Sequence, residues 1–182
     1  MILASQSPRR KEILSKAGYD FEIVVSKHEE NICGLKYDND LLLNCAYQKA
    51  LEVKRRISCD NLIISADTVV VIDGVILGKP KDKNEACIML ESLSNKTHFV
   101  ATSVCIICGD KILNEIDKTY VTFRELSKED ILKYIDNKKP LDKAGSYGIQ
   151  DEGFDFAIKL DGELDNVIGF PLKLFKKMIE LI

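Results

Sequence analysis

The stretch Leu62-Ile63-Ile64-Ser65-Ala66-Asp67-Thr68-Val69-Val70-Val71-Ile72 limits the possible folds more than any other part of the chain. Leu62 to Ala66 reads as a wholly apolar strand ending in Asp67. From Thr68 to Ile72 the residues remain β-branched, which favours extended backbone. Asp73-Gly74 then turns the chain and Val75 to Leu77 returns it, a hairpin signal. A strand this apolar needs cover, and the amphipathic stretches on either side of it supply helices.

The remaining elements follow from caps and breakers. Met1 to Ala4 is a short strand. Ser7 caps a helix with Pro8 at its first position and Ile13, Leu14 and Ala17 on its apolar face, and Gly18 stops it. Phe21 to Val25 is a strand, and Asp38 or Asp40 caps a long helix through about Ile57. Asp82 caps another helix to about Leu93. Thr97 to Cys108 is a long strand that turns at Gly109-Asp110 into a return strand, and Lys118 to Phe123 supplies a further one. Ser127-Lys128-Glu129-Asp130 starts a helix to about Asp136. Gly145, Gly148 and Gly153 mark a flexible loop. Phe156 to Leu160 and Val167 to Phe170 form a final hairpin about Asp161-Gly162, followed by a helix from Pro171 to the end. Strands and hairpins mingled with helices give an α/β fold, a mixed sheet flanked by helices.

At 182 residues the chain fits one domain, or one domain with two lobes. A hydrophobic fraction of 46% with a net charge of only −3 argues against disorder and against nucleic acid as the main ligand. No run approaches the ~18 apolar residues of a membrane helix, and no signal peptide is evident, so the expected setting is the cytoplasm. The six cysteines are scattered through apolar segments, as expected of reduced core thiols. Cys105-Ile106-Ile107-Cys108 lacks a second ligand pair for zinc, and on a strand its sulfurs point to opposite faces.

Two stretches can carry chemistry. In Ser5-Gln6-Ser7-Pro8-Arg9-Arg10-Lys11 a strand leads straight into a helix start, where unpaired N–H groups, hydroxyls and guanidinium groups suit phosphate. The alternative is a solvated basic first turn, slightly unfavourable against the helix dipole. Asp67, at the end of its strand, could hold a divalent metal or activate water, or it could be a turn acid. Lys79 in Gly-Lys-Pro could balance phosphate charge, or be merely exposed. Glu29 and Glu30 are carboxylates of the kind Mg²⁺ takes, in a loop that could equally be only solvated. Lys49 lies mid-helix, where a solvent-facing lysine is the usual outcome.

Several motifs in order along nearly the whole chain resemble those of the Maf family of nucleoside triphosphate pyrophosphatases. They are Ala4-Ser5-Gln6-Ser7-Pro8-Arg9-Arg10 with Glu12-Ile13-Leu14, Ala66-Asp67-Thr68-Val69-Val70, Gly78-Lys79-Pro80, Asp142 to Gln150, and Asn166-Val167-Ile168-Gly169-Phe170-Pro171. The resemblance implies a strongly twisted mixed sheet flanked by helices, in two lobes with a central cleft, similar to the inosine triphosphate pyrophosphatase architecture. It implies hydrolysis between the α and β phosphates with a divalent cation, Mg²⁺ or Mn²⁺, and a homodimer. One branch of the family acts on dTTP and UTP, another on 7-methyl-GTP; Arg9, Thr68 and Gln150 match the first. By the same resemblance Asp67 is the proton acceptor, while Arg9, Thr68 and Gln150 are linked to substrate choice.

The mechanism expected on that basis places the triphosphate over the first helix, held by Ser5, Ser7 and Arg10, with Lys79 and Lys49 offsetting charge on the leaving pyrophosphate. Glu30 and the phosphates hold the metal, Asp67 takes the proton of the attacking water, and Gln150 reads a pyrimidine edge. Family relatives are also associated with inhibition of septum formation, so a nucleotide-binding regulator is the alternative; house-cleaning of modified pyrimidine nucleotides stays within the same chemistry. Three departures stand out. Asp151 follows Gln150 where the family often has glycine, Glu29-Glu30 replaces an Asp-Glu pair, and Leu35 to Leu41 lacks the usual proline.

Overall fold

The fold is read from a computed structural model that describes residues 1–28, 31–57 and 61–182. Glu29, Glu30 and Cys59 therefore lie outside the described residues. In chain order the elements are β1 (Ile2–Leu3), α1 (Pro8–Lys16), β2 (Glu22–Ile23), α2 (Asn39–Ile57), β3 (Ile63–Ile72), β4 (Val75–Leu77), α3 (Lys83–Leu93), β5 (Thr97–Cys108), β6 (Lys111–Phe123), α4 (Lys128–Lys138), β7 (Ala157–Asp161), α5 (Leu164–Ile168) and α6 (Leu172–Ile179). Two short 3₁₀ turns, Pro140–Asp142 and Ala144–Ser146, follow α4.

The strands form one seven-stranded sheet in the order β2-β1-β3-β5-β6-β7, with β4 added to β3. β1 runs parallel to both β2 and β3, and the other pairs are antiparallel, so the sheet is mixed. β5 covers one edge of β3 from Ile63 to Val71. On the other edge β1 pairs with Ile63 and Ile64, and β4 pairs with Val70 to Ile72. Among the described residues, 65–69 thus have no strand partner on that side. Leu62 and Ile64 aim their carbonyls at β1, so by the two-residue period Ala66 and Thr68 present their backbone groups to the same open edge.

The alternation of β3 sorts its side chains between two helical layers. Ile64 and Ala66 pack with Leu14 of α1 and with Phe175 and Met178 of α6. Further along that face, Val70 and Ile72 meet α3 and α4 through Ala86, Leu90, Ile131 and Tyr134. The odd residues face α2: Ile63 packs with Ala46, Ala50 and Val53, and Val69 and Val71 with Leu42. Helices therefore cover both faces, as the apolar run required.

Caps legible in the sequence are formed. Ser7 accepts from the Arg10 N–H at 3.5 Å with Pro8 in the first turn, and Asp82 accepts from the Glu85 N–H at 2.9 Å. Ser127 and Asp130 make a reciprocal capping box, and Asp38, just before α2, accepts from the Asp40 N–H at 2.8 Å.

Five expectations need correction. Asp67 does not end its strand; β3 runs through it without a break, because a lysine of α2 meets the carboxylate. Residues 111–123 are one strand rather than two, with Asp117 and Lys118 kept in the ladder opposite Thr102 and Ala101. Val167 to Phe170 is not a strand: Val167 and Ile168 close the short helix α5, and β7 pairs with β6 instead. Gly145 lies not in a featureless loop but in a 3₁₀ turn. The second strand is also shorter than expected, Glu22–Ile23 alone.

The reading as core thiols holds for Cys45 and Cys105, which are buried, whereas Cys87 and Cys108 are partly exposed and Cys33 is exposed. Among the described residues no disulfide joins any two cysteines, and burial pushes the Cys105 thiol up to about 12. Among the described residues no helix is long and apolar enough to cross a membrane.

Candidate active site

A cleft of about 930 Å³ opens at the vacant edge of β3. Nine residues given a role in the expected mechanism line it: Ser5, Ser7, Arg9, Arg10, Lys49, Asp67, Thr68, Lys79 and Gln150. Glu29 and Glu30, the candidate metal carboxylates, lie outside the described residues. The nine come from the β1–α1 junction, α2, β3, the loop after β4 and the turn after the second 3₁₀ element, and are brought together by the gap between β1 and β4.

Because Asp67 and Thr68 are neighbours on a strand, they serve opposite faces. Asp67 points to the α2 side, where Lys49 Nζ lies 2.7 Å from its Oδ1. Both side chains are largely buried, at 15% and 13% exposure, which limits solvent screening of the pair. Lys49 is thus not the solvent-facing lysine usual at mid-helix. Asp67 Oδ2 has no protein donor among the described residues.

Thr68 points to the α1 side and is tied to Arg10. Arg10 donates from Nε to the Gly169 carbonyl at 2.8 Å, from Nη1 to Ser5 Oγ at 3.1 Å and from Nη2 to Thr68 Oγ1 at 3.0 Å. These three acceptors are protein oxygens, none of them a carboxylate. Behind Thr68 its hydroxyl meets Thr102 Oγ1 at 3.0 Å, and Thr102 donates to the Asn166 carbonyl at 3.0 Å. The Asn166 amide is anchored in turn to the Val100 carbonyl and Thr119 Oγ1, both at 3.0 Å.

Arg9 takes a different partner. Its Nη1 donates to Asp142 Oδ2 at 2.9 Å, and Lys143 Nζ donates to Oδ1 of the same carboxylate at 2.9 Å. One acid thus bridges Arg9 of α1 and its own neighbour Lys143, after the first 3₁₀ turn. Burial opposes ionisation of Asp142, but the Lys143 and Arg9 hydrogen bonds outweigh it and hold the carboxyl below its usual range.

Lys79 is exposed at the cleft rim. Its neighbour Gly78 is fixed from two sides, donating to Cys33 Sγ at 3.3 Å and accepting from the Gly145 N–H at 3.0 Å. Gly145 sits at φ +66°, and a Cβ there would lie 2.9 Å from Val70 on β3. Gln150 is exposed in the turn closed by the Asp151 N–H and the Gly148 carbonyl at 3.0 Å.

Among the described residues no three His, Cys, Asp or Glu side chains converge. A cation such as Mg²⁺ needs no such cage when phosphates complete its shell around one or two carboxylates. The donor-free oxygen of Asp67 is a hard ligand of that type, so the cleft is chemically compatible with a divalent cation carried by a polyphosphate.

Four contributors had no role assigned from the sequence. Asp142 and Lys143 opened the Asp142 to Gln150 motif without a role of their own, and Thr102 was one more strand threonine. Tyr134, which reaches the Gly148–Asp151 turn, carried the ordinary signal of a helix-core aromatic.

The family model described as Maf-like protein matches residues 1–182. A protein of Bacillus anthracis (strain CDC 684 / NRRL 3495) named dTTP/UTP pyrophosphatase is 48% identical over 94% of this chain and 90% of its own. A protein of the same name from Bacillus cereus (strain ATCC 10987 / NRS 248) is 48% identical over 94% of this chain and 84% of its own. Among solved structures, a nucleoside-triphosphatase / dITP/XTP pyrophosphatase from Mycobacterium abscessus aligns over 69% of this chain and 74% of its own, with 14% identity and a TM-score of 0.45.

Proposed function

The chain belongs to the Maf-like protein family, and from that premise we propose that it is a nucleoside triphosphate pyrophosphatase acting on dTTP and UTP. The observation that carries this reading is the buried Lys49–Asp67 pair at the open edge of β3, in a cleft that also gathers Arg9, Arg10, Lys79 and Lys143. A carboxylate held by a lysine, in a cleft that gathers further cations, suits a polyanionic substrate attacked by water.

In this reading the nucleotide occupies the cleft between two lobes of a single domain. Water adds at the α-phosphorus, the α–β anhydride bond breaks, and pyrophosphate leaves. Asp67 takes the water's proton on the oxygen that Lys49 does not hold. Lys49, by staying 2.7 Å from the other oxygen, fixes the direction of the carboxylate. Lys79, Arg9 and Lys143 offset the negative charge gathering on the leaving group. Ser5 and Ser7 offer hydroxyls at the helix start. Thr68 acts through Arg10, and Gln150 meets the pyrimidine edge with its paired donor and acceptor.

Glu30 and the phosphates would hold Mg²⁺ or Mn²⁺, which when bound offsets phosphate charge. Modified pyrimidine nucleotides fall within the same chemistry. The same reading takes the chain as a homodimer, which sedimentation velocity tests directly.

Incubating the purified protein with Mg²⁺ or Mn²⁺ and a panel of nucleotides, then assaying pyrophosphate, tests the activity. Asp67→Asn is expected to keep the fold and lose roughly 10²-fold or more in turnover, as for removal of a general base. Near-normal hydrolysis by that variant would refute the role of Asp67. Tight nucleotide binding without pyrophosphate release by the unmodified protein would support a regulator of septum formation instead.

A further inference from the structure

Gln150 is exposed, and its side chain makes no hydrogen bond among the described residues. Its position in the cleft is therefore set by the backbone that carries it. That backbone is a tight turn, with the Asp151 N–H donating to the Gly148 carbonyl at 3.0 Å. Both ends of the turn meet one phenol: Tyr134 Oη accepts from the Gly148 N–H at 2.9 Å and donates to Asp151 Oδ2 at 2.6 Å.

The phenol is itself held firmly. Tyr134 is 1% exposed on α4, and its ring packs edge-on against Phe154 at 5.0 Å and tilted against Phe156 at 5.0 Å. The turn has no slack either, since a Cβ on Gly148 would lie 2.7 Å from the Asp151 carboxylate. Burial, with the hydrogen bond to Asp151, pushes the phenol's ionisation well above its usual range, so it keeps its proton for Asp151. Asp151, a departure from the family pattern, thus supplies the acceptor.

We propose that Tyr134 is a positioning residue for nucleobase selectivity, holding the Gly148–Asp151 turn so that Gln150 reaches a fixed depth in the cleft. The inference rests on the reading that Gln150 meets the base. A fixed depth selects by ring size: the amide meets a pyrimidine edge, while a purine collides with it or is displaced. If the turn slackens, the amide can retreat, and the penalty on the larger base falls.

The test compares kcat/KM for UTP and GTP, with Mg²⁺ present, in the full chain and in Tyr134→Phe, Asp151→Ala, Gln150→Ala and Tyr134→Phe/Gln150→Ala. Tyr134→Phe keeps the ring, and Asp151→Ala leaves the buried ring untouched in case the first variant folds poorly. Loss of one or two hydrogen bonds predicts that the UTP:GTP ratio falls about five- to tenfold in each, mainly through KM, with kcat for UTP within about twofold. The double variant is expected to match Gln150→Ala alone, because Tyr134 acts through Gln150. A merely structural role would lower activity on both nucleotides alike and add to the Gln150→Ala effect. A changed ratio in Gln150→Ala with an unchanged ratio in both Tyr134→Phe and Asp151→Ala overturns the role of Tyr134 alone. An unchanged ratio in Gln150→Ala overturns the reading of Gln150, and this inference with it.

Discussion

Thr68 and Thr102 link a buried carbonyl to Arg10 through two hydroxyls. Thr102 gives its proton to the Asn166 carbonyl. Its oxygen is therefore left to accept from Thr68, and Thr68 in turn is left to accept from Arg10. The direction of the chain is imposed from the buried end, where Thr102 and Asn166 are both fully shielded. Thr102→Val keeps the shape and removes the link. The Thr68 hydroxyl would then turn toward the Gly169 carbonyl, 3.4 Å away, and Arg10 would lose a fixed acceptor. The expected result is a fall of about three- to tenfold in kcat/KM, matching the usual worth of one hydrogen bond. Thr102→Ser should restore it, and steady-state kinetics on both variants checks the pair.

At the level of elements, the segment after α4 is seated on β3 by a close approach. Gly145 adopts φ +66°, donates to the Gly78 carbonyl and leaves no room for a Cβ against Val70. Gly145→Ala combines backbone strain with a side-chain clash, for an expected loss of about 1–3 kcal/mol, read from the urea midpoint. The elements most readable in the sequence were those with local grammar. The caps at Ser7, Asp82 and Ser127 and the turn at Asp73-Gly74 needed only neighbours along the chain to form. What could not be read depended on distant partners. Asp67 looked like a terminator because nothing adjacent hints that Lys49, eighteen residues earlier, would neutralise it within a strand. Asp117-Lys118 looked like a break, yet the ladder with β5 carries both. Val167-Ile168 had β-branched character, but burial of Asn166 beside Val100 selects a helical turn there. The motif residues of the site were legible, whereas the gap between β1 and β4 that gathers them is a property of sheet assembly.

Across the whole molecule, the layer that joins the sheet to the 144–149 segment contains a buried histidine. His98 on β5 is 2% exposed, its Nε2 lies 2.8 Å from Tyr147 Oη, and Phe123 packs edge-on to it. Its Nδ1 has no partner among the described residues. Burial lowers its pKa from 6.5 to about 4, so the folded state holds it neutral while the unfolded chain takes up a proton sooner. Stability is therefore complete above pH 6.5 and falls as pH drops toward 4, by up to about 3 kcal/mol from this residue. Thermal melts across that window should show a slope that flattens in His98→Leu.

The vacant reach of β3 between β1 and β4 also bears on how the protein coexists with other chains. Free sheet edges invite pairing with foreign strands, which leads to aggregation, and proteins usually blunt them with charge, proline or a covering element. Here the open edge spans only residues 65–69 and has a strand at each end, leaving little length for an intruding strand to register. A gap this short can admit a small solute beside Asp67 and Thr68 while remaining a poor template for polymerisation.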